Sequence, residues 1–248
     1  MDGLILAAGK GTRLRALGDS KPLTAVAGKS LIEIAIHQLA RAGVERIVVA
    51  TGHEAERIEQ HLPGFAAAAG VAVESARVDN WSLPNGFSVM AGAARLDREF
   101  LLVMADHILS LDILRSLAAC RGHDTGVTLA VDRRTRAETI DPDDATWVRT
   151  GKDDRIVQIG KDLAEYDAVD CGAFLATADL PHAIARAIAA GKPGSLSDGM
   201  QALAEAGRAH VHDIGEAWWI DVDDPRAHAM AQRQAPQHVP GLAMGRAA

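Results

Sequence analysis

The chain has 248 residues, 48% of them apolar and 24% charged, which excludes intrinsic disorder and fibrous classes and allows one sizeable core without disulfide or metal staples. Its formal charge of -7 argues against sequence-independent nucleic-acid binding, which relies on a basic surface. Cys120 and Cys171 form no CxxC pair, no run of about 18 uncharged apolar residues marks a membrane span, and Leu4 to Ala8 is too short for a signal-peptide core, so a cytoplasmic protein is expected.

In chain order, strands are expected at Leu4 to Ala8, Arg46 to Thr51, Val71 to Ser75, Phe100 to Ala105 and Gly126 to Val131, the central ones apolar enough to be buried on both faces. Between them, Leu31 to Ala42 repeats apolar residues at helical spacing and stops at Gly43. Glu54 to Leu62 stops at Pro63, and Leu111 to Cys120 makes a third helix. Strands separated by helices of this length predict right-handed crossovers and a mainly parallel, Rossmann-like doubly wound α/β sheet, whose ligands sit beyond the carboxyl ends of the strands. Strand-like pieces at Thr146 to Arg149, Arg155 to Ile159, Val169 to Leu175, Ala209 to Asp213 and Trp218 to Val222 surround helices at Leu180 to Ala190 and Ser197 to Ala206. They read as a lobe built onto the same sheet, so residues 1–233 form one domain. Residues 234–248, with prolines and glycines and no apolar period, read as a flexible tail.

The stretch from Leu4 to Leu14 runs a buried strand into a Gly-x-Gly-x-Arg loop. Small residues at Ala7, Ala8, Gly9 and Gly11 let a ligand reach backbone N–H groups, while Lys10 and Arg13 add charge-assisted hydrogen bonds, a combination suited to polyphosphate. Lys10, Arg13, Arg15, Lys21 and Lys29 face only Asp2 and Asp19 in the first thirty residues, so an acidic chain opens with a basic segment. A dinucleotide fingerprint needs a small residue where Leu14 stands, and a Walker loop ending at Gly28-Lys29-Ser30 needs glycine at Leu23; both fail. Lys21-Pro22-Leu23 then sets a lysine on a stiffened segment after the loop.

The pattern from Leu6 to Leu14 followed by Lys21-Pro22-Leu23 resembles the signature of the nucleotidyltransferases that make sugar and alcohol nucleotides. The resemblance implies a nucleotide-diphospho-sugar transferase-like fold with an acceptor-side lobe. It also implies that the backbone at Leu6, Ala7 and Ala8 holds the base, that Gly11 and Arg13 hold the triphosphate, and that Lys21 contacts phosphate at the reacting centre.

Asp106 ends an apolar strand where such sheets present their ligand, and its hard oxygens suit Mg²⁺ shared with phosphates; the competing reading is a cap for the helix at Leu111. His107 reads as an orienting group or as plain structure. Near the end, Asp221 and Asp223 alternate on one face of a strand, an arrangement that needs a cation or a donor. The resemblance adds a late metal aspartate, preferentially Asp223 and second Asp221, while Asp224 before Pro225 caps the last helix.

Asn85-Gly86-Phe87-Ser88, Met104 to His107, Ile159-Gly160-Lys161, Asp170-Cys171-Gly172 and Ser195 to Gly199 occur in an order similar to that of the inositol-1-phosphate cytidylyltransferases, which are found as the soluble half of bifunctional di-myo-inositol phosphate synthases. That resemblance implies nucleotide contacts from Asn85 and Ser88, substrate contacts from Gly86, Asp170 and Gly172, and Lys161 on the acceptor phosphate, although a Glu-Lys-Pro motif is replaced here by Gly-Lys-Asp. The implied activity is Mg²⁺-dependent transfer from CTP to inositol 1-phosphate, with a separate membrane synthase using the product. Phosphocholine, aminoethylphosphonate or a sugar 1-phosphate are alternative acceptors. A non-catalytic nucleotide-sensing subunit and a dinucleotide-binding reductase are the alternatives from other classes.

Overall fold

The computed structural model describes residues 1–14, 20–120 and 126–242. The first half contains β1 (Asp2–Ala7), a hairpin of β2 (Ala25–Val26) and β3 (Lys29–Ser30), α1 (Leu31–Arg41), β4 (Arg46–Thr51), α2 (Ala55–Glu59), α3 (Leu62–Ala69), β5 (Ala72–Arg77), α4 (Gly86–Ala93), β6 (Phe100–Met104), β7 (His107–Leu109) and α5 (Leu111–Ala119). The second half adds β8 (Val127–Asp132), β9 (Trp147–Thr150), β10 (Ile156–Gly160), β11 (Ala168–Ala176), α6 (Asp179–Ala189), α7 (Leu196–Glu205), β12 (Ala209–Asp213), β13 (Trp219–Asp221) and α8 (Pro225–His238).

One nine-stranded sheet organises the chain. β1 lies between β4 and β6, both parallel to it, and β5 extends the parallel run beyond β4. β11 is antiparallel to β6, and β8 and β12 follow it, so most strands run in one direction. β11 shifts register between Asp170 and Phe174, and its first residues also pair with β9, which carries β10. The sheet therefore forks at a bulge, a device that bends a strand and redirects its side chains.

Alternation along the parallel strands fills both faces, as expected where helices cover each side. Ile5, Ile47, Val49, Leu101 and Val103 pack with Ile32, Ile36 and Leu39 of α1 and Ile113 and Leu117 of α5. Leu4, Leu6, Val48, Phe100 and Leu102 pack oppositely with Val89 of α4, Ile184 of α6 and Met200 of α7. This is the doubly wound α/β arrangement. Truncating a fully buried leucine such as Leu4 to alanine costs about 2–5 kcal/mol in such a core.

Four features differ from the expectation. The helix expected over Glu54 to Leu62 is two helices, and Pro63 stands in the first turn of α3, where its missing N–H would have no partner anyway. α4 stands where no helix is expected. Its glycines serve close packing, since a Cβ at Gly86 would meet the Gly194 carbonyl and one at Gly92 would meet Leu4. β7 is too short to show a period. Finally, α8 continues to His238, through the start of the expected tail: Ala231, Ala235 and Val239 bury a stripe against Leu14, Ile34, Ile220 and Val222, and Trp218 donates from Nε1 to Gln234 (3.0 Å). Residues 243–248 of that tail lie outside the described residues. Among the described residues, no helix is long and apolar enough to cross a membrane.

Candidate active site

At the carboxyl end of β1 the backbone opens into the Ala8 to Gly11 loop. Gly11 has φ +57°, and a Cβ there would run into the Lys21 side chain, so only glycine serves at this point. The loop is pinned beside β4 by the His53 amide, which donates to the Ala8 carbonyl (3.0 Å). Lys21 follows on a single 3₁₀ turn with Pro22 in its first turn. Its side chain is 9% exposed and lies between two carboxylates: Nζ pairs with Asp106 Oδ2 at 2.5 Å and with Asp223.

Those carboxylates converge from distant parts of the chain because β7 and β13 pair antiparallel, setting Asp221 opposite His107, and the Val222 amide donates to the Asp106 carbonyl (2.9 Å). Asp106 caps no helix; Ser110 is the N-cap residue of α5. Asp224 does cap α8, accepting from the Ala227 amide (2.7 Å). Arg13 also pairs with Asp223, and its Nη2 donates to Asp144 Oδ2 at 2.5 Å.

Burial opposes ionisation of Asp106, yet the Lys21 ammonium and the His107 ring outweigh it and hold this carboxyl well below the usual carboxylate range. His107 Nδ1 bonds Asp106 Oδ1 at 2.8 Å. Burial disfavours its cation, but the Asp221 and Asp106 carboxylates prevail and raise its pKa to about 9. Its ring stacks on Trp219 at 5.9 Å, and Trp219 Nε1 donates to the buried Asp132 (2.9 Å). Gly172, at φ +72° in the β11 bulge, leaves room for that ring, which a Cβ would strike. Burial pushes Asp170 up to about 6, with partial relief from the Gly172 amide (2.7 Å), and raises Asp221 as well.

Two cavities meet at this point, of 340 and 280 Å³, sharing walls of Arg13, Lys21, Asn85, Met104, Asp106 and Asp223. The smaller is lined by Leu6, Ala7, Ala8, Gly9, Gly11 and Ser88. The larger is lined by Asp144, Lys161, Asp170, Gly172, Trp219 and Asp221, among others. The fold thus brings the expected residues together with two qualifications. Gly86 lies behind the wall, packed on Gly194. Asn85 accepts from the Leu196 amide (2.8 Å), so it anchors α7 as well as facing the cleft.

Asp144 was not legible in the sequence. It sits on an Asp141-Pro142-Asp143-Asp144 turn, a composition that reads as an exposed bend, yet it reaches both Arg13 and Lys161. The donor set fits a hard cation. Carboxylate oxygens of Asp144, Asp221 and Asp223 lie within 4.8 Å of one another, as do ligand atoms of Asp106, His107 and Asp221, and among the described residues the buried Asp221 Oδ1 has no hydrogen-bond partner. What the arrangement offers chemically is a glycine-lined anion cradle flanked by cations and by acids able to take a divalent ion.

The profile of the MobA-like NTP transferase domain matches residues 3–211, and the chain belongs to that family. It is 37% identical over 224 residues to a Rubrobacter xylanophilus protein named bifunctional IPC transferase and DIPP synthase, covering 90% of this chain and 49% of that protein. A protein of the same name from Thermococcus kodakarensis is 30% identical, with 93% and 49% covered. The chain spans about half the length of these curated relatives. Among solved structures, the inositol-1-phosphate CTP transferase from T. maritima superposes with a TM-score of 0.79 at 25% identity, covering 94% of this chain and 96% of that one. A UDP-glucose pyrophosphorylase in complex with UDP-glucose shares the fold, with a TM-score of 0.77 at 14% identity over 95% and 98%.

Proposed function

We propose that the chain is a cytoplasmic cytidylyltransferase joining CTP and inositol 1-phosphate to give CDP-inositol and pyrophosphate. The observation that carries this reading is the convergence of Arg13, Lys21, Asp106 and Asp223 at the seam between the glycine-lined cavity and the larger one. Nucleotide binds along Leu6 to Gly11, with Ser88 and Asn85 on the facing wall. The acceptor occupies the larger cavity, its phosphate held by Lys161 and its hydroxyls facing Asp170 and neighbouring polar groups. The names of the Rubrobacter and T. maritima proteins support the choice of inositol 1-phosphate and CTP.

In the reaction an anionic oxygen of the acceptor phosphate bonds to the α-phosphorus of CTP. The bond from that phosphorus to the bridging oxygen breaks, and pyrophosphate leaves with the electron pair. The attacking oxygen is already ionised, so no general base is needed. Arg13 and Lys21 bind the triphosphate and the charge developing on pyrophosphate, and Lys161 sets the acceptor in line. Mg²⁺ held by Asp106 and Asp223, with Asp221 beside them, would neutralise phosphate charge. His107 and Trp219 keep Asp106 oriented.

The test is a matrix of the four NTPs against inositol 1-phosphate, phosphocholine, aminoethylphosphonate and glucose 1-phosphate, read by pyrophosphate release with Mg²⁺ and with EDTA. CTP with inositol 1-phosphate and Mg²⁺ is the expected fastest combination. A faster alternative pair, or none, overturns the reading.

A further inference from the structure

One carboxylate spans the cleft. Asp144 Oδ2 accepts from Arg13 Nη2 and Oδ1 from Lys161 Nζ, each at 2.5 Å. Arg13 belongs to the loop after β1, on the nucleotide side, whereas Lys161 directly follows β10, on the other. The carboxylate is presented by a fixed turn: the Asp143 amide donates to Asp141 Oδ1 (3.0 Å) and the Ala145 amide to the Asp141 carbonyl (2.9 Å). Asp144 thus engages, with one oxygen each, two cations that face the cavities and carry large exposed fractions of their own. A carboxylate placed so occupies donors that would otherwise take phosphate oxygens.

We propose that Asp144 is a specificity-setting residue that stands in for substrate phosphates between Arg13 and Lys161, keeping lone phosphate anions off these two cations. The assignment of the two cations to nucleotide and acceptor rests on the reading above; the competition itself rests only on the two contacts. A free anion such as phosphate or pyrophosphate must break a charge-assisted pair to gain one, and the exchange yields little. A nucleotide together with a phosphorylated acceptor replaces both contacts and adds its own binding through the rest of the cleft. Asp144 therefore discriminates against the free product anion by competition.

The experiment is calorimetric titration of inorganic pyrophosphate into the full chain without divalent cations, for wild type, Asp144→Asn and Asp144→Ala. Asp143→Asn is the control, because it removes the same charge from the neighbouring exposed position. Both Asp144 variants should bind pyrophosphate about tenfold more tightly, equivalent to roughly 1.4 kcal/mol, and Asp143→Asn should bind like wild type. Pyrophosphate should also become the stronger product inhibitor in the Asp144 variants. Unchanged or weaker binding in both folded Asp144 variants overturns the proposal, as does an equal gain in Asp143→Asn, which would mark a general charge effect. A raised Mg²⁺ requirement with unaltered pyrophosphate affinity would make Asp144 a cation ligand instead, and this too overturns it. The titration separates this idea from the activity reading: absent turnover in the substrate matrix refutes the latter and leaves the pyrophosphate comparison intact.

Discussion

Replacing Lys21 by methionine keeps most of the side-chain volume and removes the ammonium between Asp106 and Asp223, whose side chains are 22% and 17% exposed. Breaking a fully buried pair in this way costs about 3–5 kcal/mol, because the remaining charge has no partner. Here both carboxylates keep some solvent, Asp106 keeps His107, and Asp223 keeps Arg13, so the cost should fall to roughly 2 kcal/mol. For a chain of this size that corresponds to a drop in Tm of about 4–8 °C. The same substitution removes a cation from the reacting centre, and turnover should fall by about 10²–10³. The assay is thermal denaturation by circular dichroism in EDTA and in Mg²⁺, alongside pyrophosphate release. Mg²⁺ should return part of the lost Tm, since its charge relieves the two carboxylates, but should not restore the rate. Undiminished turnover, or an unchanged Tm in EDTA, would refute the argument that Lys21 is the central cation of the site.

Three further outcomes follow from the same geometry. Asp106→Asn should cut Mg²⁺-dependent turnover by about a hundredfold or more while leaving the circular dichroism spectrum unaltered; an active variant removes Asp106 from the machinery. Gly172→Ala should lower Tm well beyond Gly191→Ala, because both positions have positive φ but only Gly172 is pressed by the His107 ring, the backbone strain alone costing about 1–3 kcal/mol. Equal losses would show that the ring makes no steric demand. The hydrogen bond from Arg77 holds Glu59 below its ordinary pKa of 4.5, with burial opposing and Thr51 assisting. A depressed folded value adds stability that is present above the unfolded pKa and lost as pH falls through the folded one. Urea midpoints of wild type should therefore exceed those of Glu59→Gln at pH 6 and converge with them under acid conditions well below about pH 4; a difference that persists there would contradict the assignment.

The parallel half of the fold was legible because its strands are buried on both faces and bounded by helices with clear stripes. β4 and β12 fall on the expected residues, Arg46 to Thr51 and Ala209 to Asp213. What escaped was set by tertiary packing. α4 carries glycines, the worst ordinary helix formers, at two positions where neighbours leave no room for a Cβ, so propensity and structure disagree there for a steric reason. α8 hides its buried stripe in alanines, and Pro236 falls near the helix end, where it reads as a breaker. Pro63 misled in the opposite sense, since a proline that appears to end one helix opens the next.

At the site, Arg13, Lys21 and Asp106 stood out because each adjoins a strand end or a glycine loop, and Asp221 and Asp223 because paired acids on one face demand a counterion. Asp144 carried no comparable signal. Its role depends on where the connection between β8 and β9, residues 133–146, folds back, and only that tertiary path places its two oxygens on cations from separate parts of the chain. The same pairing resolves an oddity of composition. The cleft proposed to bind polyphosphate lies in a chain of charge -7, and Asp106, Asp144 and Asp223 satisfy its cations and hold them in place. That order costs affinity for bare anions, since each must displace a carboxylate. A nucleotide carrying a divalent ion would meet different terms: Asp106 and Asp223 would hold its metal, and the cations they release would turn to the phosphate oxygens. On the proposed function, the excess of acids over bases in the cleft suits a nucleotide that arrives with its divalent ion.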